Sequence, residues 1–205
     1  MINIPSKRLI LVQIFIIFIL PVFLLYFNIV PISWRMVFLA ISALVIYGII
    51  RREEWTYDEM GIRYDNFKKA LPFYLVFVIV GALTLFFLDY KLTMPDIDTS
   101  SSLARTWIFF IPVSFFQEFA FRSFLIPMLK KLYDNKYIVI LINAILFTLI
   151  HIIFPNLGIG LPLAFVSGIF FAWLYIKYPN LILISLAHSV LNIIAVLLGF
   201  FVVIK

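Results

Sequence analysis

Seven near-continuous apolar stretches, each about as long as a bilayer is thick, leave this chain few folds to choose from. They cover residues 9–30, 34–50, 71–88, 107–129, 137–154, 161–176 and 181–204. A helix needs roughly 17–25 such residues to cross the hydrocarbon, and none of the runs shows the period-2 alternation of a barrel strand. Of 205 residues, 65% are hydrophobic and 13% charged, against about 45–50% and 25% in a soluble domain. A chain this short must show much of its surface to its surroundings, so that surface faces lipid. The expectation is an all-α, polytopic transmembrane bundle of about seven spans, forming one domain over residues 1–205. Lys7 and Arg8 precede the first run as in a signal peptide, but no small-x-small cleavage site follows. An uncleaved first helix is expected.

The charges sort by side. Alternate loops place Lys7, Arg8, Arg51, Arg52, Arg63, Lys68, Lys69, Lys130, Lys131, Lys136 and Lys177 on one face, eleven in all, and Arg35, Lys91, Arg105 and Lys205 on the other. The positive-inside rule then puts the N-terminus in the cytoplasm and the C-terminus outside. The net charge of +6 is thus tied to orientation, and no nucleic-acid partner is expected. Residues 51–69 mix five basic and five acidic side chains and read as a cytoplasmic connection with a short surface helix. Residues 92–105 form the longest external loop. With no Cys, disulfides and thiolate chemistry are excluded.

Ionisable groups inside a bilayer cost about 2.5–3.5 kcal/mol each near its centre, so those that occur tend to face inward and to act. In the fourth run Glu118 and Arg122 are four apart and stack on one face. Ser114 and Gln117 share that arc, and Pro112 one turn earlier removes a backbone donor. The fifth run spaces Asn143, Phe147 and His151 by four, while Ser185, His188, Ser189 and Asn192 share a face of the seventh. Both histidines of the protein lie in these runs beside the buried charges. An ion pair that only tethers helices is the competing reading of Glu118 and Arg122. In the sixth run Gly160, Ala164, Gly168 and Ala172 form a small-residue stripe, expected to pack helices closely.

Taken together, Gln117-Glu118-Phe119-Ala120-Phe121-Arg122, Phe147-Thr148-Leu149-Ile150-His151 and His188-Ser189-Val190-Leu191-Asn192 resemble the three motifs of the CPBP family. This family is also known as the Abi, or CAAX-protease and bacteriocin-processing, family of intramembrane proteases. The motifs are Glu-Glu-x-x-x-Arg, Phe-x-x-x-His and His-x-x-x-Asn/Asp, in that order over about residues 107–197. Asp58-Glu59-Met60-Gly61-Ile62-Arg63 is similar to an upstream Leu-Gly-hydrophobic-Arg element of the family. The resemblance implies water-dependent peptide hydrolysis in the membrane, on a membrane-delivered or lipidated peptide or protein. It implies that the residue at 117 with His151 activates water, that His188 and Asn192 stabilise the oxyanion, and that Arg122 steadies the carboxylates.

Gln117 departs from the family's first Glu, and an amide takes no proton at neutral pH. It marks either an inactivating substitution, a natural non-proteolytic member, or transfer of the base role to Glu118. Zinc on two His and one Glu is conceivable but not favoured, and no other cofactor is expected. Residue counting also sets His151 external to mid-helix and His188 internal to it, a mismatch of roughly 14 Å at 1.5 Å per residue. The competing functions are a non-catalytic membrane scaffold or bacteriocin-immunity protein and a small transporter. The transporter lacks the expected inverted repeat and paired broken helices.

Overall fold

A computed structural model describes residues 6–92, 103–154 and 157–200, with backbone alone for 103–109. The external loop expected at 92–105 lies almost wholly outside the described residues. Among the described residues seven helical rods follow one another: α1 (Lys7–Tyr26), α2 (Arg35–Arg52), α3 (Phe67–Leu92), α4 (Leu103–Glu118, continued by Phe119–Leu125 and Ile126–Lys130), α5 (Lys136–Leu149, continued by a 3-10 turn, Ile150–Ile153), α6 (Leu157–Lys177) and α7 (Leu181–Leu197). Five of them (α1, α2, α3, α5 and α6) are long and apolar enough to cross a membrane. There is no strand among the described residues, so each apolar run of the sequence has its helix.

Asn135 and Asn180 start α5 and α7 by accepting the N–H groups of Tyr137 and Leu183 at 2.9 and 3.0 Å. At the far end of α7, Gly199 adopts φ +84° and the Phe200 N–H bonds back to the Ala195 carbonyl at 2.9 Å. This left-handed C-terminal turn, anchored by buried Phe200, stops the helix at Leu197 rather than at 204 as hydropathy suggests. Apolar content cannot register a stop that is made by one glycine.

The connection 53–66 is not a surface helix. It is a chain of tight turns broken by positive φ at Glu54 (56°) and Gly61 (69°), with Glu59 closing one turn on the Thr56 N–H and hydroxyl at 2.7 and 2.9 Å. The turns lock into the bundle end. Ser123 and Tyr175 both donate to the Met60 carbonyl at 2.6 and 2.9 Å. The Leu181 N–H donates to Gly61 O at 2.8 Å, and Asn180 Nδ2 reaches Arg63 O and Asn66 Oδ1 at 2.9 Å each. An alanine Cβ at Gly61 would stand 2.2 Å from the Tyr175 hydroxyl, so both conformation and space require glycine there.

The small-residue stripe does pack. A Cβ on Gly168 would come within 3.1 Å of the Ala144 backbone, so α6 lies hard against α5, with Ala164 and Ala172 buried in the same face. That approach sets the floor on which the polar residues of α4, α5 and α7 meet.

Candidate functional site

Midway along α4 the helix widens into a π segment, Phe119–Leu125, directly after Glu118. The chain runs on helically through Pro112, so the irregularity lies at the charged residues and not at the proline. Wide turns of this kind leave backbone groups unsatisfied and recur at functional positions. Here Asn143 of α5 donates to the Phe121 carbonyl at 2.7 Å, a role that its spacing to His151 did not disclose.

Arg122 and Glu118 are both fully buried. Arg122 Nε approaches Glu118 Oε2 to 3.1 Å, yet neither atom makes an aligned hydrogen bond, so the contact is ionic. The guanidinium rests instead among ring faces: its carbon lies 4.5 Å from the Phe147 centroid, 5.4 Å from Phe171 and 5.9 Å from Phe121. In a desolvated setting such cation–π contacts are worth about 2 kcal/mol or more. The other carboxylate oxygen, Glu118 Oε1, accepts from His188 Nδ1 at 2.7 Å. Glu118 is therefore clamped between a cation and an imidazole, and it fixes the proton of His188 on Nδ1.

His151 lies one step beyond the α-helical part of α5, in the 3-10 turn, and its Nδ1 donates to the Phe147 carbonyl at 2.9 Å. The two imidazoles flank the single Phe147 ring, with centroid distances of 5.1 Å for His151 and 5.6 Å for His188. Their separation cannot exceed the sum of those two distances, and the depth mismatch expected from residue counting is absent. The early end of α7 places His188 at the middle of its helix. The 3-10 turn lets His151 reach the same ring. Asn192, one turn after His188, donates to Ser114 Oγ at 3.2 Å, joining α7 to α4.

Two cavities adjoin these groups. One, of about 210 Å³, lies among α1, α2, α4 and the end of α5, and Gln117, His151 and Asn192 line it. The other, of about 170 Å³, lies among α3, α6 and α7 and is lined by His151, His188 and Asn192. His151 and Asn192 form the wall between them. Gln117 is half-buried on the first cavity, whereas Glu118 lines neither. The structure thus brings together all six residues singled out in the sequence, but in two ranks: Gln117, His151, His188 and Asn192 at the cavities, with Glu118 and Arg122 behind them.

Ser185 and Ser189 belong to neither cavity. The Ser189 hydroxyl bonds the Ser185 carbonyl at 2.7 Å within the helix. The aromatic cage of Phe121, Phe147 and Phe171 around Arg122 was not legible, since nothing local tells which three of 24 Phe residues form it. Among the described residues no three His, Asp or Glu side chains converge as metal ligands do.

Residues 99–194 match the family model described as Rce1-like, type II CAAX prenyl endopeptidase Rce1-like. This match agrees with the resemblance of the three motifs to the CPBP family. No curated protein and no solved structure matches the chain. The family match and the apolar helices together make the chain an integral membrane protein, and the match supports a peptidase of the CAAX-protease kind at the level of the family.

Proposed function

We propose that this chain is an intramembrane endopeptidase for membrane-delivered or lipidated peptides, with its base position held by Gln117. One observation carries the reading: Gln117, His151 and Asn192 face the same cavity while Glu118, locked behind them, orients His188. A substrate carbonyl lodged near Asn192 would meet an amide donor suited to offset a developing oxyanion. With its proton on Nδ1, a neutral His151 carries its basic nitrogen on the opposite side of the ring and can take a proton from water.

Gln117 can position that water through its amide oxygen but cannot accept the proton. This supports slow catalysis rather than a full rate. It disfavours transfer of the base role to Glu118, whose two oxygens face Arg122 and His188 and not the cavity. Gln117 is also the observation in favour of a second reading, a non-catalytic relative that binds its peptide in the same cavity.

The test is Gln117→Glu, which replaces one amide nitrogen by oxygen at nearly constant shape. A positioned base contributes about 10²–10⁴-fold. The expected result is a gain of that order in cleavage of lipidated or membrane-extract peptides by purified protein, removed by His151→Ala or His188→Ala on that background. Silence of both forms over a broad peptide panel would leave the non-catalytic relative as the better account. Equal activity in both, abolished by Glu118→Gln, would hand the base to Glu118.

A further inference from the structure

The two ends of this bundle differ in a way that bears on where the substrate comes from. One end gathers the close of α2, the turns 53–66, the close of α4, the start of α5, the close of α6 and the start of α7. Contacts across these segments hold them together: Lys131 to Glu53 at 2.8 Å, Asn66 to Pro179 O at 2.8 Å and Tyr74 to Tyr178 O at 2.9 Å. Arg51, Arg52, Arg63, Lys68, Lys69, Lys130, Lys131, Lys136 and Lys177 all sit at this end. The larger cavity lies toward the other end. Leu25 near the close of α1, Arg35 at the start of α2, Phe110 early in α4, Phe154 after α5 and Val196 at the close of α7 all line it. A bias of Lys and Arg this strong marks the cytoplasmic face.

Arg35 adds the second observation. It is the one charged side chain lining this cavity among the described residues, beside apolar Leu25, Met36, Phe38 and Leu39. Among the described residues no carboxylate pairs with it: the ion pairs join Arg63 to Asp65, Arg122 and His188 to Glu118, and Lys131 to Glu53. A cation at the rim of an apolar cavity in low dielectric attracts a negative group. About 210 Å³ has room for the last few side chains of a peptide rather than a folded segment.

We propose that the cavity opens on the non-cytoplasmic face and takes the apolar end of a peptide presented there, its terminal carboxylate held by Arg35. The substrate would then be a translocated polypeptide and not a cytoplasmic tail. Only the cleavage of the bound peptide rests on the peptidase reading; the direction of access and the anchor stand apart from catalysis.

The chain has no Cys, so single-Cys variants report side directly. Ser33→Cys, on the turn just before α2, and Met36→Cys, in the cavity lining, are expected to react with a membrane-impermeant maleimide on intact cells, and Asp134→Cys only after lysis. The reverse pattern overturns the proposal whether or not the protein cleaves anything.

The anchor is tested with purified protein in detergent and an apolar hexapeptide bearing either a free C-terminal carboxylate or an amide. Tryptophan emission, to which Trp34 next to Arg35 contributes, follows binding. The carboxylate form is expected to bind at least about tenfold tighter. Arg35→Gln should erase the difference and Arg35→Lys should retain part of it. Equal binding of both peptides, or a difference that survives Arg35→Gln, refutes the anchor. So does an Arg35-dependent emission change produced by phosphatidylglycerol micelles alone and by neither peptide, which would make Arg35 a lipid-headgroup contact.

Discussion

If Glu118 is a positioning residue clamped by charge, its loss and the loss of Arg122 must be strongly coupled. Both side chains are fully buried, and the terminal nitrogens of Arg122 have no hydrogen-bond partner. Its charge is therefore offset by one carboxylate 3.1 Å away and three ring faces. Glu118 has two partners, Arg122 and His188. Removing one member of a buried pair costs about 3–5 kcal/mol because the other is left uncompensated, whereas removing both is often close to neutral. The asymmetry of partners fixes the order. Arg122→Met leaves Glu118 with His188 and should fall near the low end, about 3 kcal/mol. Glu118→Gln leaves a bare guanidinium among phenyl rings and should approach about 5 kcal/mol. The double variant should return to within about 1.5 kcal/mol of the parent, yet still fail to orient His188. Reversible unfolding in mixed micelles, followed by far-ultraviolet circular dichroism, reads the three values. Single effects below about 1 kcal/mol that add within about 0.5 kcal/mol would show that the clamp carries no energy and that Glu118 is available for other work.

Gly61→Ala must adopt a left-handed conformation costing roughly 1–2 kcal/mol and also displace the Tyr175 hydroxyl, so it should lower the thermal midpoint clearly. Tyr175→Phe on that background should recover part of the loss by removing the nearest atom, and no recovery would mean that backbone strain alone explains it. Elemental analysis of protein purified without chelator should find no stoichiometric zinc. About one zinc per chain, lost with His151→Ala, would reverse that expectation and reopen a metal-dependent route.

How much of this was legible in the sequence depends on which forces leave a local trace. Lipid exposure leaves the strongest, since each spanning helix must carry its own run of apolar residues, and all seven runs became helices. The six candidate site residues were legible for the same reason: a charge, amide or imidazole in such a run is conspicuous, and pairs at i and i+4 share a face. What escaped was set by contacts between elements distant in the chain. The stop of α7 depends on the φ of Gly199 and the burial of Phe200. The turns at 53–66 depend on Met60 and Gly61 meeting Ser123, Tyr175 and Leu181, which no hydropathy window relates. The expected depth mismatch arose from treating α5 and α7 as ideal rods of the wrong length. A 3-10 turn at one and an early stop at the other bring both histidines to Phe147.

The division of the polar residues into two ranks has a consequence for Gln117. Were Glu118 exposed to the cavity, losing the neighbouring carboxylate would leave a base in place, and the change could drift without effect on the reaction. Because Glu118 is instead held by Arg122 and His188, the carboxylate that could reach cavity water beside His151 and Asn192 is one placed at residue 117. On the proposed reading, an amide there alters proton transfer while leaving the clamp and the histidine orientation as they are. Binding and chemistry separate at this residue. The peptide-binding difference expected for Arg35 should persist in both the parent and the Gln117→Glu variant, whereas turnover should differ between them by the factor a general base supplies.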